Sequence, residues 1–264
     1  LGAEAAVIYG IFYFKSVRLP ATSSPIDRST PLIKKRIREL FQHLPRALAG
    51  EEEAVHQMRV AGRRLRVALP LAARNPEGRR ALRALAVLRQ LTQAAGTSRD
   101  LDVAMALFER HVQPGPGATA EQRTLRARLR GARTRSRTRM AQALLDIEIA
   151  RLRRDLRKLL ARKGEVLFTV VVRLRDTREA RGARVLEALA VLGDRYDPVA
   201  LHDLRKRLRK LRYAAEVAEA VMAQTTPAPA LFKDLQEQLG QIRDRFVASE
   251  WLGRQAAAAR ARGQ

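Results

Sequence analysis

Two stretches of this chain repeat the same order of apolar and polar positions. The first, Val55 to Ala68, reads VHQMRVAGRRLRVA, and the second, Leu201 to Ala214, reads LHDLRKRLRKLRYA. At about 100° per residue, Val55, Met58, Leu65 and Leu69 share one side of a helix while His56, Arg59, Arg63 and Arg66 share the other. In the second stretch Leu201, Leu204, Leu208 and Leu211 oppose His202, Arg205, Arg209 and Arg212. Equivalent residues lie 146 positions apart, and the shared pattern is H-x-x-R-x-x-x-R-[RK]-L-R. A helix that only had to fold could vary its wet face. A wet face repeated residue by residue points to a ligand.

The same periodicity, cut by turn residues, predicts helices along most of the remaining chain. Thr30-Pro31 opens one, with Thr30 as its cap and Gly50 at its end. The acidic Glu51 to Glu53 suit the positive end of the first motif helix, which stops near Ala73, before Asn75-Pro76 and Gly78. Residues 79–95 form a helix closed by Gly96. Ser98 caps the next, which runs to about Val112 before the breaker at Gln113 to Gly117. A long helix then carries eight arginines between Arg123 and Arg139, with Leu125, Leu129, Ala132, Met140 and Leu144 as its apolar seam. Helices over about 146–162 and 166–192 lead to Gly193, and Asp197-Pro198 opens the second motif helix. The loop at Thr225 to Pro229 precedes a helix ending at Gly240 and a last one carrying Trp251.

Leu91, Gly96, Arg99 and Asp100 recur 144 positions on as Leu235, Gly240, Arg243 and Asp244. The repeating unit is therefore a basic helix, a helix ending in L-x-x-x-x-G, and an R-D step into the next. The expected fold is all-α, with duplicated helical-bundle halves over about 31–145 and 146–252 and pseudo-two-fold symmetry between them. An extension, residues 1–30, precedes them with the apolar run Ala5 to Phe14, and an Ala/Arg-rich tail, 253–264, follows.

Composition supports helix over sheet: 46% of the 264 residues are hydrophobic, mostly Ala and Leu, and only 5% are aromatic. Lys plus Arg number 52 against 27 Asp plus Glu, a net charge of +25. Self-repulsion of that size calls for a polyanionic partner: nucleic acid, an anionic membrane or inorganic polyphosphate. The absence of cysteine excludes a disulfide scaffold, a thiolate metal site and a cysteine nucleophile, and fits a reducing compartment. No apolar run approaches the roughly 18–20 residues of a membrane span.

Arg59 to Arg66 covers about 10 Å of helix axis, enough to bridge several phosphates, and guanidinium groups fork onto phosphate oxygens. The candidate anion-binding set is His56, Arg59, Arg63, Arg64 and Arg66 with His202, Arg205, Lys206, Arg209, Lys210 and Arg212; Arg99 and Arg243 are secondary candidates. Neither motif histidine has a second histidine or an acid three or four residues on, so no metal site is expected. No nucleophile partner and no Gly-rich phosphate loop is visible, so neither turnover nor a cofactor is expected. The two imidazoles are read as facing phosphate, which favours their protons. Asp100 and Asp244 are read as caps or as ion-pair partners that orient basic-face arginines. The alternative is sequence-independent nucleic-acid binding at low salt, which needs only charge. With so few aromatics a stacking platform for single strands is poorly supplied.

The doubled motif, each copy followed by L-x-x-x-x-G-x-x-R-D, resembles the conserved histidine α-helical domain, or CHAD, family over roughly Pro31 to Leu252. The resemblance implies two four-helix-bundle-like halves around a basic central channel, and binding of inorganic polyphosphate without catalysis. A cytoplasmic location, with attachment to polyphosphate granules, is the matching expectation. The E-x-E-x-K motif of the triphosphatase domain attached in many members does not occur here. Gly62 departs from the pattern, and its place inside the motif helix is read as permitting a close helix contact.

Overall fold

A computed structural model describes residues 28–112, 119–160, 167–193 and 196–261, and among them every regular element is a helix. The helices are α1 (Ser29–Leu48), α2 (Glu52–Ala72), α3 (Arg79–Ala94), α4 (Gly96–His111), α5 (Ala120–Leu145), α6 (Ile149–Leu160), α7 (Leu167–Leu192), α8 (Pro198–Met222) and α9 (Ala228–Arg260). The motif helices are α2 and α8. α1 and α3 pack on α2, α7 and α9 pack on α8, and α2 and α8 meet each other. α4 joins α5 to α9, and α6 lies on α3. The apolar N-terminal run lies outside the described residues.

The apolar faces read from the sequence are the buried ones. Val55, Met58, Leu65 and Leu69 of α2 are almost fully enclosed, as are Leu204, Leu208 and Leu211 of α8, while Leu201 is half-buried. Each enclosed leucine contributes roughly 1.5–3 kcal/mol of transfer free energy. They join one Ala/Leu-rich core that takes in α1, α3 and α7. A separate apolar cluster of Ala104, Met105, Leu129 and Trp251 holds α4, α5 and α9 together.

Several helix ends are where turn chemistry puts them. Gly50 (φ 83°) and Gly193 (φ 53°) follow α1 and α7 in the left-handed region that glycine enters at little cost. Asp197 caps α8 by accepting from the amides of Val199 and Ala200, ahead of Pro198. Three expected ends differ. Arg28, not Thr30, occupies the cap position of α1. Ser98 is fully buried inside α4, which begins at Gly96 without a side-chain cap. Gly240 does not end a helix, because α9 runs through it for 33 residues and on into the Ala/Arg-rich stretch.

Gly96 and Gly240 are read differently once their neighbours are known. Neither has a positive φ. A Cβ on Gly96 would stand 3.5 Å from Arg59 Nη1, and one on Gly240 would stand 3.1 Å from Arg205 Nη2. In both repeats the glycine flanks the guanidinium of the first motif arginine. Lack of bulk, rather than backbone freedom, is what this position uses.

Gly62 has the same kind of reason. A Cβ there would lie 2.9 Å from Thr92 Cγ2 on α3. Thr92 is itself held: its carbonyl accepts from Arg59 at 2.6 Å and its hydroxyl from Arg66 at 3.3 Å. Gly62→Ala gains about 1 kcal/mol of helix propensity but loses about 1–3 kcal/mol to overpacking, so the net change is destabilising. A lower melting temperature by calorimetry is the expected result, and an unchanged or higher one contradicts the close contact.

Candidate anion-binding site

The site starts from the meeting of α2 and α8, with α7 alongside α8. Between them lies an open cleft of about 670 Å³. From α2 come Arg63 and Arg66, and from α8 come Lys206, Arg207, Arg209 and Lys210. α7 adds Arg181 and Arg184, which sequence reasoning did not single out. A signal for them existed: 146 positions earlier, at the offset that relates the motifs, Lys35 and Arg38 keep the same spacing. One carboxylate, Asp203, lines the cleft, and it is already bound by Arg207 at 2.6 Å and Lys206 at 3.5 Å. Arg181 donates to the carbonyl of Lys210 at 2.9 Å and Arg207 to that of Arg184 at 3.3 Å, which ties α7 to α8. Arg63, Arg184, Arg209 and Lys210 are left without an ion pair among the described residues.

Burial and mutual repulsion put these groups under strain. Burial lowers the pKa of Arg209, and the charge of Arg63 lowers it further; Arg63 in turn is lowered by burial and by Arg205. Arg181 is pushed down to about 10 by burial and then by Arg184. Lys210 is lowered by burial and by Arg181 and Arg66. All four are crowded and short of counter-charge.

Behind the cleft lies a second tier. Arg59, buried, is held by the Thr92 carbonyl, and its pKa falls to about 10, mainly through burial. Arg205 is lowered by burial first and supported chiefly by Asp244. Asp100 and Asp244 make no ion pair within 4 Å among the described residues. They act at longer range, Asp100 on Arg59, Arg63 and Arg205, and Asp244 on Arg205. Burial raises the Asp244 carboxyl. Of the two secondary candidates, Arg99 makes only a long 3.7 Å pair with Glu52, and Arg243 lies over the Phe246 ring.

The motif histidines belong to this tier. His202 is pushed down to about 4, first by burial and then by Arg243, Lys206, Arg205 and Arg209. His56 is lowered by burial and then by Arg99. Burial and the neighbouring cations thus disfavour the protonated form of both imidazoles, and the expected proton depends on a bound anion. The Nδ1 atom of His202 is buried without a hydrogen-bond partner.

Arg64 and Arg212 are elsewhere. Both turn to Glu216, at 3.1 and 3.5 Å, and Arg36 of α1 joins them at 3.2 Å. Both also lie over the Tyr213 ring, at 5.7 and 4.9 Å from its centre. In the first motif Arg66 reaches the cleft and Arg64 does not; in the second Lys210 does and Arg212 does not. No cluster of three or more metal-ligating side chains occurs among the described residues.

A family model described as the CHAD domain matches residues 32–253. The chain is 27% identical over 249 residues to the uncharacterized protein Rv2226 of Mycobacterium tuberculosis and equally to uncharacterized protein MT2285 of a second strain. These matches cover 91% of this chain but 48% of each relative, so the chain spans about half the length of the curated relatives it matches. The crystal structure of the CHAD domain from the plant Ricinus communis superposes with a TM-score of 0.64 at 22% identity, covering 94% of this chain and 84% of that one. The matched span takes in α1 through most of α9 and both motif helices, and the chain belongs to the CHAD domain family.

Proposed function

We propose that this chain binds inorganic polyphosphate without turning it over, in the cleft between α2, α7 and α8. The observation that carries the reading is the imbalance of that cleft: eight cationic side chains line it against one carboxylate, and the carboxylate is already paired. Membership of a family in which polyphosphate binding is the general property supports it. A linear phosphate chain offers oxygens on every side, which suits cations that converge from three helices. Arginine forks onto such oxygens and keeps its charge when desolvated. Binding relieves the repulsion among Arg63, Arg209 and their neighbours, so the stored strain becomes affinity. The direct ligands in this reading are Arg63, Arg66, Arg181, Arg184, Arg209 and Lys210. His56, Arg59, His202 and Arg205 form the tier behind them, and Arg64 and Arg212 serve the fold. Attachment to polyphosphate granules is the role this binding would support. Among the described residues no helix is long and apolar enough to cross a membrane.

Three outcomes test this. The double variant Arg63→Glu, Arg209→Glu should weaken polyphosphate binding by at least about a hundredfold, since each lost charge-assisted contact is worth about 1.5–3 kcal/mol. Arg130→Glu with Arg245→Glu, the same charge change on exposed residues of α5 and α9, should cost far less. Titration calorimetry with circular dichroism as the fold check decides it, and equal losses from the two pairs sink the dedicated cleft.

Salt separates the site from general basicity. Raising salt from about 50 to 200 mM costs a protein with 6–10 phosphate contacts about 10³–10⁵ in DNA affinity. Duplex DNA is expected to dissociate over that range while polyphosphate stays bound, because only the thin chain enters the cleft. Joint displacement in parallel titrations supports the sequence-independent nucleic-acid reading instead.

The histidines set the pH dependence. An anion next to His202 raises its pKa from about 4 towards or above its ordinary 6.5, so binding takes up a proton. Affinity should therefore rise as pH falls from about 7 towards 4, in that direction only. In the ligand-free protein the sign is opposite: the unfolded chain binds the proton first, so stability falls as pH drops from 6.5 towards 4. His202→Asn should flatten both curves, and a pH-independent affinity in the unaltered protein removes the histidine from the site.

A further inference from the structure

The arginine-rich helix α5 has no part in the cleft, and its arginines are not all used alike. Arg126 pairs with Glu109 at 3.8 Å, while Arg133 and Arg137 both bind the buried Asp102. Arg135 and Arg139, four residues apart and so on a common stripe, make no ion pair among the described residues. They line a separate pocket of about 390 Å³ between α4, α5 and α9. Arg243 and Arg254 of α9 line it too, likewise without an ion pair among the described residues.

This pocket differs in chemistry from the cleft. Its apolar lining includes Leu101, Ala104, Val247 and Trp251, and Ala104 and Trp251 belong to the apolar cluster that stands apart from the main core. Two carboxylates, Asp100 and Glu250, also line it, and neither is in an ion pair among the described residues. A bare phosphate chain would satisfy the guanidiniums, but it would be repelled by both acids and leave the apolar wall uncovered. The complementary ligand carries a phosphate for the arginines, N–H or O–H donors for the carboxylates, and a flat, weakly polar ring for the apolar wall that Leu101, Val247 and the largely buried Trp251 form. Its volume lies within the usual range of a small-molecule site, roughly 300–1,000 Å³, and its lining combines charged groups with an apolar wall.

We propose that the pocket between α4, α5 and α9 is a second ligand site, separate from the polyphosphate cleft, and that it takes a nucleotide. The proposal does not depend on the polyphosphate reading.

Trp251 is the chain's single tryptophan, so its emission reports this pocket alone. Adenosine triphosphate and inorganic triphosphate, with similar charge, are titrated in parallel, with free tryptophan as the control for absorption by the base. The nucleotide should change Trp251 emission saturably, and inorganic triphosphate should not. Arg135→Glu with Arg139→Glu should weaken the nucleotide response at least about tenfold, since one charge-assisted contact alone is worth that much. Arg63→Glu with Arg209→Glu should leave the response unchanged. Circular dichroism shows whether the Arg135 and Arg139 variant is folded, and direct equilibrium dialysis of labelled nucleotide on the unaltered protein gives an independent count of sites. No emission change, an equal change with inorganic triphosphate, or loss of the response in the cleft variant each overturns the proposal.

Discussion

The carboxylate of Glu216 is shared by guanidiniums from α1, α2 and α8, through Arg36, Arg64 and Arg212. Glu216 compensates three cations at once, and removing one partner of a buried charged group is commonly worth about 3–5 kcal/mol because the others are left uncompensated. The Tyr213 ring adds its electron-rich face beneath two of them. This contact fixes how the two motif helices meet, because it draws one arginine from each motif to a single point. The cleft wall then takes motif cations that Glu216 does not reach, among them Arg63, Arg66, Arg209 and Lys210, together with Arg181 and Arg184 of α7.

Two other buried acids repeat the arrangement. Asp102 binds Arg133 and Arg137 and so joins α4 to α5; Asp155 binds Arg80 and Arg83 and so joins α3 to α6. Asp155 is held below its ordinary value chiefly by the Arg83 hydrogen bond, as expected of a carboxylate that stays charged when enclosed. In a chain with 52 basic and 27 acidic residues, acids are the scarce partner. Their placement decides which arginines belong to the fold. Of those left over, some line the cleft and others the second pocket.

Much of this was legible in the sequence, because helical periodicity marks the buried face directly. Val55, Met58, Leu65 and Leu69 needed no tertiary information, and neither did the cap at Asp197 or the stops at Gly50 and Gly193. What escaped depends on neighbours. The wheel placed Arg212 on the wet face with Arg209, yet Glu216, one turn on, draws it away. Arg181 and Arg184 lie on a helix without the motif and enter only because α7 packs beside α8. Gly96 and Gly240 carry the usual sign of a helix end, but their use is steric: room beside Arg59 and Arg205. A single sequence signals that a side chain is missing there; only the fold says what occupies the space.

The preference for arginine over lysine has a local cause as well. Arg59 and Arg181 fall to about 10 under burial and like charge, and they still hold their protons at neutral pH. A lysine, starting from 10.5, would under the same burden approach the physiological range and lose part of its charge. The cleft accordingly uses lysine only at Lys206 and Lys210, which are more open to water. A guanidinium can be crowded against its like and remain cationic. A row of such groups holds a high charge density in readiness for an anion, where a row of ammonium groups would discharge itself before the anion arrived.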